Sequence, residues 1–261
     1  MLNNFLLHID ILWPALLAGF LVLATHIPFG QEVLKRGIIF LDLAIAQVAA
    51  FGLMISKIGW FDEVYFLSPL EESVIASGTA ILGAMFFYGL RRFAVKTQEA
   101  MIGVVYILAA TGCVLLLSAQ PHAPERLKEI LVGQILWVQP KDLVGLSIIS
   151  GVILMFWFGA RHRLGDWVFY PLFALTVTLS TQLVGIYLVF SSLIIPALVT
   201  LGQKGSLLHA FIIGASGYFF GLLVAAFYDL PAGAAVVWAL AVVAGLYWCY
   251  WRFLHQHCNS H

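Results

Sequence analysis

The stretch WVFYPLFALTVTLSTQLVGIYLVFSSLIIPALVTLGQ, residues 167–203, contains no Lys, Arg, Asp or Glu. As one straight helix it would run about 55 Å at 1.5 Å per residue, against a bilayer hydrocarbon core of about 30 Å. It must therefore fold back on itself as two membrane spans. Val184-Gly185 is the expected point of reversal, because glycine tolerates the backbone that a tight turn demands.

The rest of the chain has the same character. Of 261 residues, 62% are hydrophobic and 10% are charged, where a soluble domain carries roughly 25% charge. Lipid solvates such a chain and charge is needed only at helix ends and loops, which excludes an ordinary water-soluble fold. The formal net charge is zero, so nothing in the total points to a nucleic-acid partner. Cys113, Cys249 and Cys258 are odd in number and lack CxxC spacing, which indicates neither a disulfide framework nor a cysteine-rich zinc site. The first apolar stretch follows Asn3, Asn4, His8 and Asp10 rather than basic residues, with no A-x-A-like cleavage site after it, and reads as a retained span.

Apolar segments long enough to be spans occur at about 11–30, 38–56, 73–90, 100–118, 143–160, 167–184, 186–202, 209–228 and 233–251. With all nine accepted, Lys35, Arg36, Arg91, Arg92, Lys96, Arg161, Arg163, Lys204 and Arg252 fall on one side. By the positive-inside rule that side is cytoplasmic. The other side receives Asp10, Asp62, Glu63, Glu71, Glu72 and Asp229, with Lys57, Arg126, Lys128 and Lys141 as basic exceptions. Dropping one span would scramble this separation. The expectation is an all-α polytopic transmembrane bundle of about nine spans, with an outside N-terminus and an inside C-terminus. It forms a single membrane domain over 1–261, with a short His/Cys-rich tail at 252–261. The longest connection, Pro121 to Leu143, contains ERLKEILVGQILWV, whose apolar spacing suits a short amphipathic helix on the outer surface. It reads equally as a packing connector or as a docking surface.

An ionisable residue within a span is a functional candidate, since its charge is costly in hydrocarbon. Asp42 reads as the one acid placed deep in a span. Gln47 follows five residues later, and His26 lies near the inner end of the first span; the three are candidates for a shared polar path. The alternative is that Asp42 pairs with a basic group or is simply protonated. No HExxH, GxSxG or GxxxxGK[ST] occurs, so ATP would have to be bound by another subunit. The tail residues His255, His257, Cys258 and His261 are of metal-ligand types, but a terminal tail is more often incidental. Gly214, Gly217 and Gly221 lie on roughly one helix face and imply either tight internal packing or a dimer seam. Pro196, late in a span, precedes the turn Gly202-Gln203-Lys204-Gly205; this reads either as a kink and loop or as a short helix presented to a cytoplasmic partner.

Five segments together resemble the ABC-type permeases for zinc, manganese and iron ions: HIPFGQEVLKRGIIFLDLAIAQVAAFG (26–52), EAMIGVVYILAATG (99–112), LKEILVGQILWVQPKDL (127–143), VGIYLVFSSLIIPALVTL (184–201) and DLPAGAAVV (229–237). The last two are also similar to segments of the siderophore and cobalamin permeases. The resemblance implies a type II ABC importer-like permease, without a nucleotide site or resident cofactor of its own, that carries a divalent metal ion as substrate. It implies a homodimeric pore, or a heterodimer with a second permease, in the bacterial cytoplasmic membrane, with cytoplasmic ATP-binding subunits and an extracytoplasmic metal-binding protein as partners. By the same resemblance, Pro196, Lys204, Gly205 and His209 belong to the element that couples to the ATPase. Glu125, Lys128 and Asp229 would face the binding protein. The family's second span commonly carries an Asp and a His four residues apart. Here Leu43 and Gln47 stand at those positions and Asp42 is about 100° away around the helix. A proton-coupled secondary transporter using Asp42 is the alternative class.

Overall fold

The structure is a computed structural model and describes residues 2–57, 69–118, 131–133, 135–164 and 166–258, with side chains described for 12–55, 71–118, 131–133, 135–159 and 167–253. The described residues hold nine α-helices and no strand: α1 Leu2–Arg36, α2 Leu41–Lys57, α3 Pro69–Leu90, α4 Val95–Leu117, α5 Pro140–Leu164, α6 Phe169–Val184, α7 Ile186–Thr200, α8 Ser206–Tyr228 and α9 Ala232–Cys258. Each corresponds to one span expected from the sequence. Six contain stretches long and apolar enough to cross a bilayer; α2, α6 and α7 contribute shorter apolar segments of 10–17 residues. The short helices lie inside. α7 buries Leu188, Val189, Ser191, Ser192, Leu193, Ile194, Pro196 and Ala197 among others, which is why it is apolar all round. The longer helices expose apolar side chains such as Leu115, Met155, Phe227 and Trp238, as lipid-facing surfaces do.

The reversal occurs where the sequence places it. Gly185 ends α6 and begins α7 with φ 83° and ψ 160°, a conformation that disfavours any side chain. A Cβ at Gly185 would meet the backbone of Val132 and Gly133, and one at Gly133 would meet Val184 and Gly185. Gly233, at the start of α9, lies equally close to the Val132 carbonyl. Three segments distant in sequence thus touch backbone to backbone through glycines.

Contacts fix which helix ends lie together. The Arg36 guanidinium sits 4.5 Å from the Phe169 ring centroid, and Phe169 adjoins Tyr170, which meets Tyr88 at 5.6 Å. Arg91 covers Tyr88 at 4.4 Å, and Gln98 donates to the Tyr170 hydroxyl at 3.3 Å. Ser206 donates to Gln31 at 3.3 Å, and Tyr247 to Gln203 at 2.6 Å. The loops carrying Arg36, Arg91-Arg92 and Lys204 therefore share one end of the bundle, together with the far end of α9. At the opposite end Ser73 donates to Gln182 at 2.9 Å.

Two local readings change. The first helix does not stop near residue 30 but runs to Arg36 through Pro14 and Pro28. Its last turns hold because Glu32, buried there, meets Arg36 four residues on, with N···O distances of 2.8 and 2.9 Å. Asp42 is not deep in a span: α2 begins at Leu41, so Asp42 occupies its first turn at the basic end. The glycines of α8 are used within the chain, since Gly214 abuts Leu23 of α1 while Gly217 and Gly221 abut Leu240 and Val236 of α9. Much of the segment expected as an amphipathic outer helix, including Glu125, Lys128 and Gln134, lies outside the described residues, whereas Ile135–Trp137 form a single 3-10 turn.

Replacing Gly221 by Ala is expected to destabilise the purified chain by about 1–3 kcal/mol, because the new methyl meets the α9 backbone at Val236. Gly151→Ala, where the added methyl meets open space, should not lower the melting temperature in detergent. Single cysteines placed at Arg92 and Lys204 should be labelled from the same membrane face, and one at Asp229 from the other.

Candidate functional site

A cavity of about 550 Å³ opens among α2, α4, α7 and α9. Leu43 and Gln47 contribute from α2, one turn apart on the same face, and Tyr106, Ala110 and Val114 from α4. Ile186, Tyr187, Phe190 and Ser191 line it from α7, Ala234, Val237 and Trp238 from α9, and Leu131 from the outer connection. None of these thirteen is an acid, a histidine, a cysteine, a lysine or an arginine. The polar side-chain groups of the described lining residues are the Gln47 amide, the Ser191 hydroxyl, two tyrosine hydroxyls and the Trp238 indole. Gln47 and Ser191 are each 6% exposed, whereas Tyr187 is 51% and Trp238 74% exposed, so the cavity is open on one flank.

Of the three residues expected to share a polar path, only Gln47 lines this cavity. Asp42 is 1% exposed and turned away; neither carboxylate oxygen has a hydrogen-bond partner of standard geometry, and the polar groups facing it are the backbone N–H groups of Leu43 and of Asp42 itself. His26 is fully buried in α1, where Nδ1 lies 2.8 Å from the Val22 carbonyl and 3.1 Å from the Thr25 hydroxyl. Donation from Nδ1 to that carbonyl leaves Nε2 with a bare lone pair, and Nε2 has no partner. His26 follows Leu23 and precedes Gly30 on the stripe of α1 that packs against α7 and α8, through Gly214 and through the Leu193 carbonyl and Ala197. Ten residues separate it from the end of α1, a rise of about 15 Å, so it stands well above the level of Asp42. Among the described residues no group of three or more His, Cys, Asp or Glu converges as a metal cluster would.

The second candidate region is the turn between α7 and α8. Pro196 does not break α7, which continues to Thr200; the Thr200 hydroxyl donates to the Pro196 carbonyl at 2.8 Å. No separate short helix forms here. Leu201 leaves the helix, Gly202 (φ 79°) and Gly205 (φ 72°) adopt left-handed backbone, and α8 starts at Ser206. Lys204 is exposed at the tip. The turn is anchored on both sides: Gln203 donates to the Val199 carbonyl and accepts from Tyr247, while Ser206 donates to Gln31. The His209 ring lies beside that of Tyr247, tilted by 37° with centroids 6.0 Å apart, and its Nδ1 is buried without a hydrogen-bond partner. At the other end of the bundle Asp229 closes α8 in left-handed conformation (φ 52°) and is exposed, beside exposed Leu230 and Pro231. Glu125 and Lys128 lie outside the described residues.

Sequence reasoning overlooked Glu32 and the aromatic lining. The Glu32–Arg36 pair carried a readable i, i+4 signal. Tyr106, Phe190 and Trp238 carried none, because their convergence depends on helices far apart in sequence.

The chain is similar over nearly its whole length to transport proteins. It is 23% identical to a probable metal transport system membrane protein of Chlamydia muridarum, over 96% of this chain and 91% of that one. It is 24% identical to the high-affinity zinc uptake system membrane protein ZnuB of Haemophilus influenzae, over 87% and 93%. Among solved structures, PsaBC from Streptococcus pneumoniae, in complex with a Fab, superposes with a TM-score of 0.71, covering 95% of each chain at 20% identity, and so shares the fold. The family model of the ABC 3 transport family matches residues 8–171 and 161–249. The multi-pass bundle described here therefore belongs to the ABC 3 transport family, the membrane-spanning subunits of ABC importers.

Proposed function

We propose that this chain is the permease of an importer that moves a divalent transition metal, zinc, manganese or iron, across the bacterial cytoplasmic membrane. The single observation that carries the reading is the family match over 8–249, spanning both the cavity and the anchored Lys204 turn. Metal is named because the relatives are named for it. The chain performs no chemistry of its own in this reading; ATP is hydrolysed on cytoplasmic partner subunits.

The basic end supplies the motor contact. Lys204 projects between Gly202 and Gly205, so a docked ATP-binding subunit meets a compact turn with a positive tip. The hydrogen bonds from Tyr247 to Gln203 and from Ser206 to Gln31 tie that turn to α9 and α1. A displacement of the turn is thereby passed to helices that border or brace the cavity. Pro196 and His209 flank the turn and belong to the same element. At the opposite end Asp229, with Glu125 and Lys128 by sequence, would receive an extracytoplasmic binding protein. Two permease copies, or this chain and a second permease, would face each other across the transit path.

Co-expressed with its ATP-binding subunit, the chain should co-purify with it, and Lys204→Glu should reduce the yield of the complex at least tenfold while the permease remains inserted. Full recovery of the complex would remove Lys204 from the joint. Asp42 separates the two transport classes. Uptake should stop when the partner's ATPase is inactivated; uptake that continues with a dead ATPase but is abolished by Asp42→Asn would make the chain a proton-coupled carrier instead.

A further inference from the structure

We infer that the metal crosses this subunit already wrapped in an organic ligand, contacted by Gln47 and by the aromatic side chains of Tyr106, Tyr187 and Trp238. The inference rests on the permease reading and specifies its substrate. Its starting point is the chemistry of the cavity wall. A transition-metal ion stripped of water is held best by carboxylate, imidazole or thiolate donors, and the described residues lining this cavity include none. Leu43 and Gln47 occupy the two positions of α2 that face the cavity from one side of the helix, and neither is a strong ligand.

Keeping the hydration shell does not solve the problem. A dipositive aquo-ion in a cavity walled by Val114, Ile186, Phe190 and their neighbours gives up bulk solvation with no charged side chain among the described lining residues to compensate it. Asp42, the nearest acid on α2, is turned into the packed interior and does not reach the cavity. The size of the cavity points the same way. Six waters at about 30 Å³ each amount to roughly 180 Å³, about a third of the available 550 Å³. Cavities of this volume, mostly apolar with a few placed polar groups, suit organic molecules of drug size. A metal whose charge is already neutralised by its own chelator meets the opposite balance: its rings have aromatic faces to stack on, and the Gln47 amide and Ser191 hydroxyl remain for its peripheral oxygen or nitrogen atoms.

The test uses the full chain in lipid nanodiscs with radioactive zinc as the probe, offered either as ZnCl2 or as the neutral bis(8-hydroxyquinolinate) complex, with lipid-only discs subtracted. The complex should be retained saturably, at least tenfold more tightly than ZnCl2. Gln47→Ala and Trp238→Ala should each weaken that retention about tenfold. Leu43→Asp combined with Gln47→His, which installs two ligands on one helix face, should raise ZnCl2 binding at least tenfold. Saturable ZnCl2 binding by the unaltered chain that Gln47→Ala abolishes would overturn the inference, as would retention of the complex no greater than in lipid-only discs. Co-purification of the same preparation with the ATP-binding subunit reads the permease assignment separately, so the two can fail independently.

Discussion

Hydrocarbon offers no partner to a bare peptide group, so a chain in the bilayer can change direction only where its backbone is satisfied or shielded by other protein. At Gly185 this constraint meets the length of residues 167–203. The Gly185 N–H donates to the Thr181 carbonyl and its carbonyl accepts from Val189, so α6 closes and α7 opens on the same residue. Val132-Gly133 covers the turn, Gly233 packs against the Val132 carbonyl, and only glycines allow the three backbones to come so near. The position of α7 follows from that junction, and with it the wall of the cavity and the depth at which the Lys204 turn emerges.

Much of the architecture was legible because membrane folding is governed by one-dimensional quantities. Span length, the spacing of Lys and Arg, and a glycine in an uncharged run gave the nine helices, their alternation and the Val184-Gly185 reversal. What could not be read was the arrangement of helices around one another. Gly214, Gly217 and Gly221 looked like one face, yet they serve two neighbours, α1 and α9. Asp42 seemed deep in a span because helix starts are blurred in a uniformly apolar sequence; one turn of displacement moves it to the end of α2. Gln47 was noticed as the residue standing where a ligand was expected, and the structure places it on the cavity wall. The aromatic side chains opposite it carried no signature, since α4, α7 and α9 meet only in three dimensions.

The two ends of the bundle are built from different physics. At the basic end, charge is held by short-range devices: Arg36 is shared between Glu32 and the Phe169 ring, and Arg91 lies over Tyr88. Guanidinium groups suit this position because they are weakly hydrated and stack on aromatic faces. Lys204 by contrast is held out at the tip of its turn, where an ammonium keeps its water until something docks. Rings, a partly buried ion pair and amide hydrogen bonds make this end stiff, while the wall of the cavity is mainly apolar packing.

The inner helices also constrain how the protein is made. A helix of 15 or 16 residues rises only about 23 Å, several ångströms short of the lipid core it would cross alone. Neither α6 nor α7 is suited to wait in bare bilayer for its neighbours. The pair should leave the insertion machinery together as a hairpin and take shelter at once against α1, with α8 and α9 sealing the other side as they emerge. Biogenesis of this chain is thus a matter of escorted entry, in which the earliest span acts as host to the shortest ones.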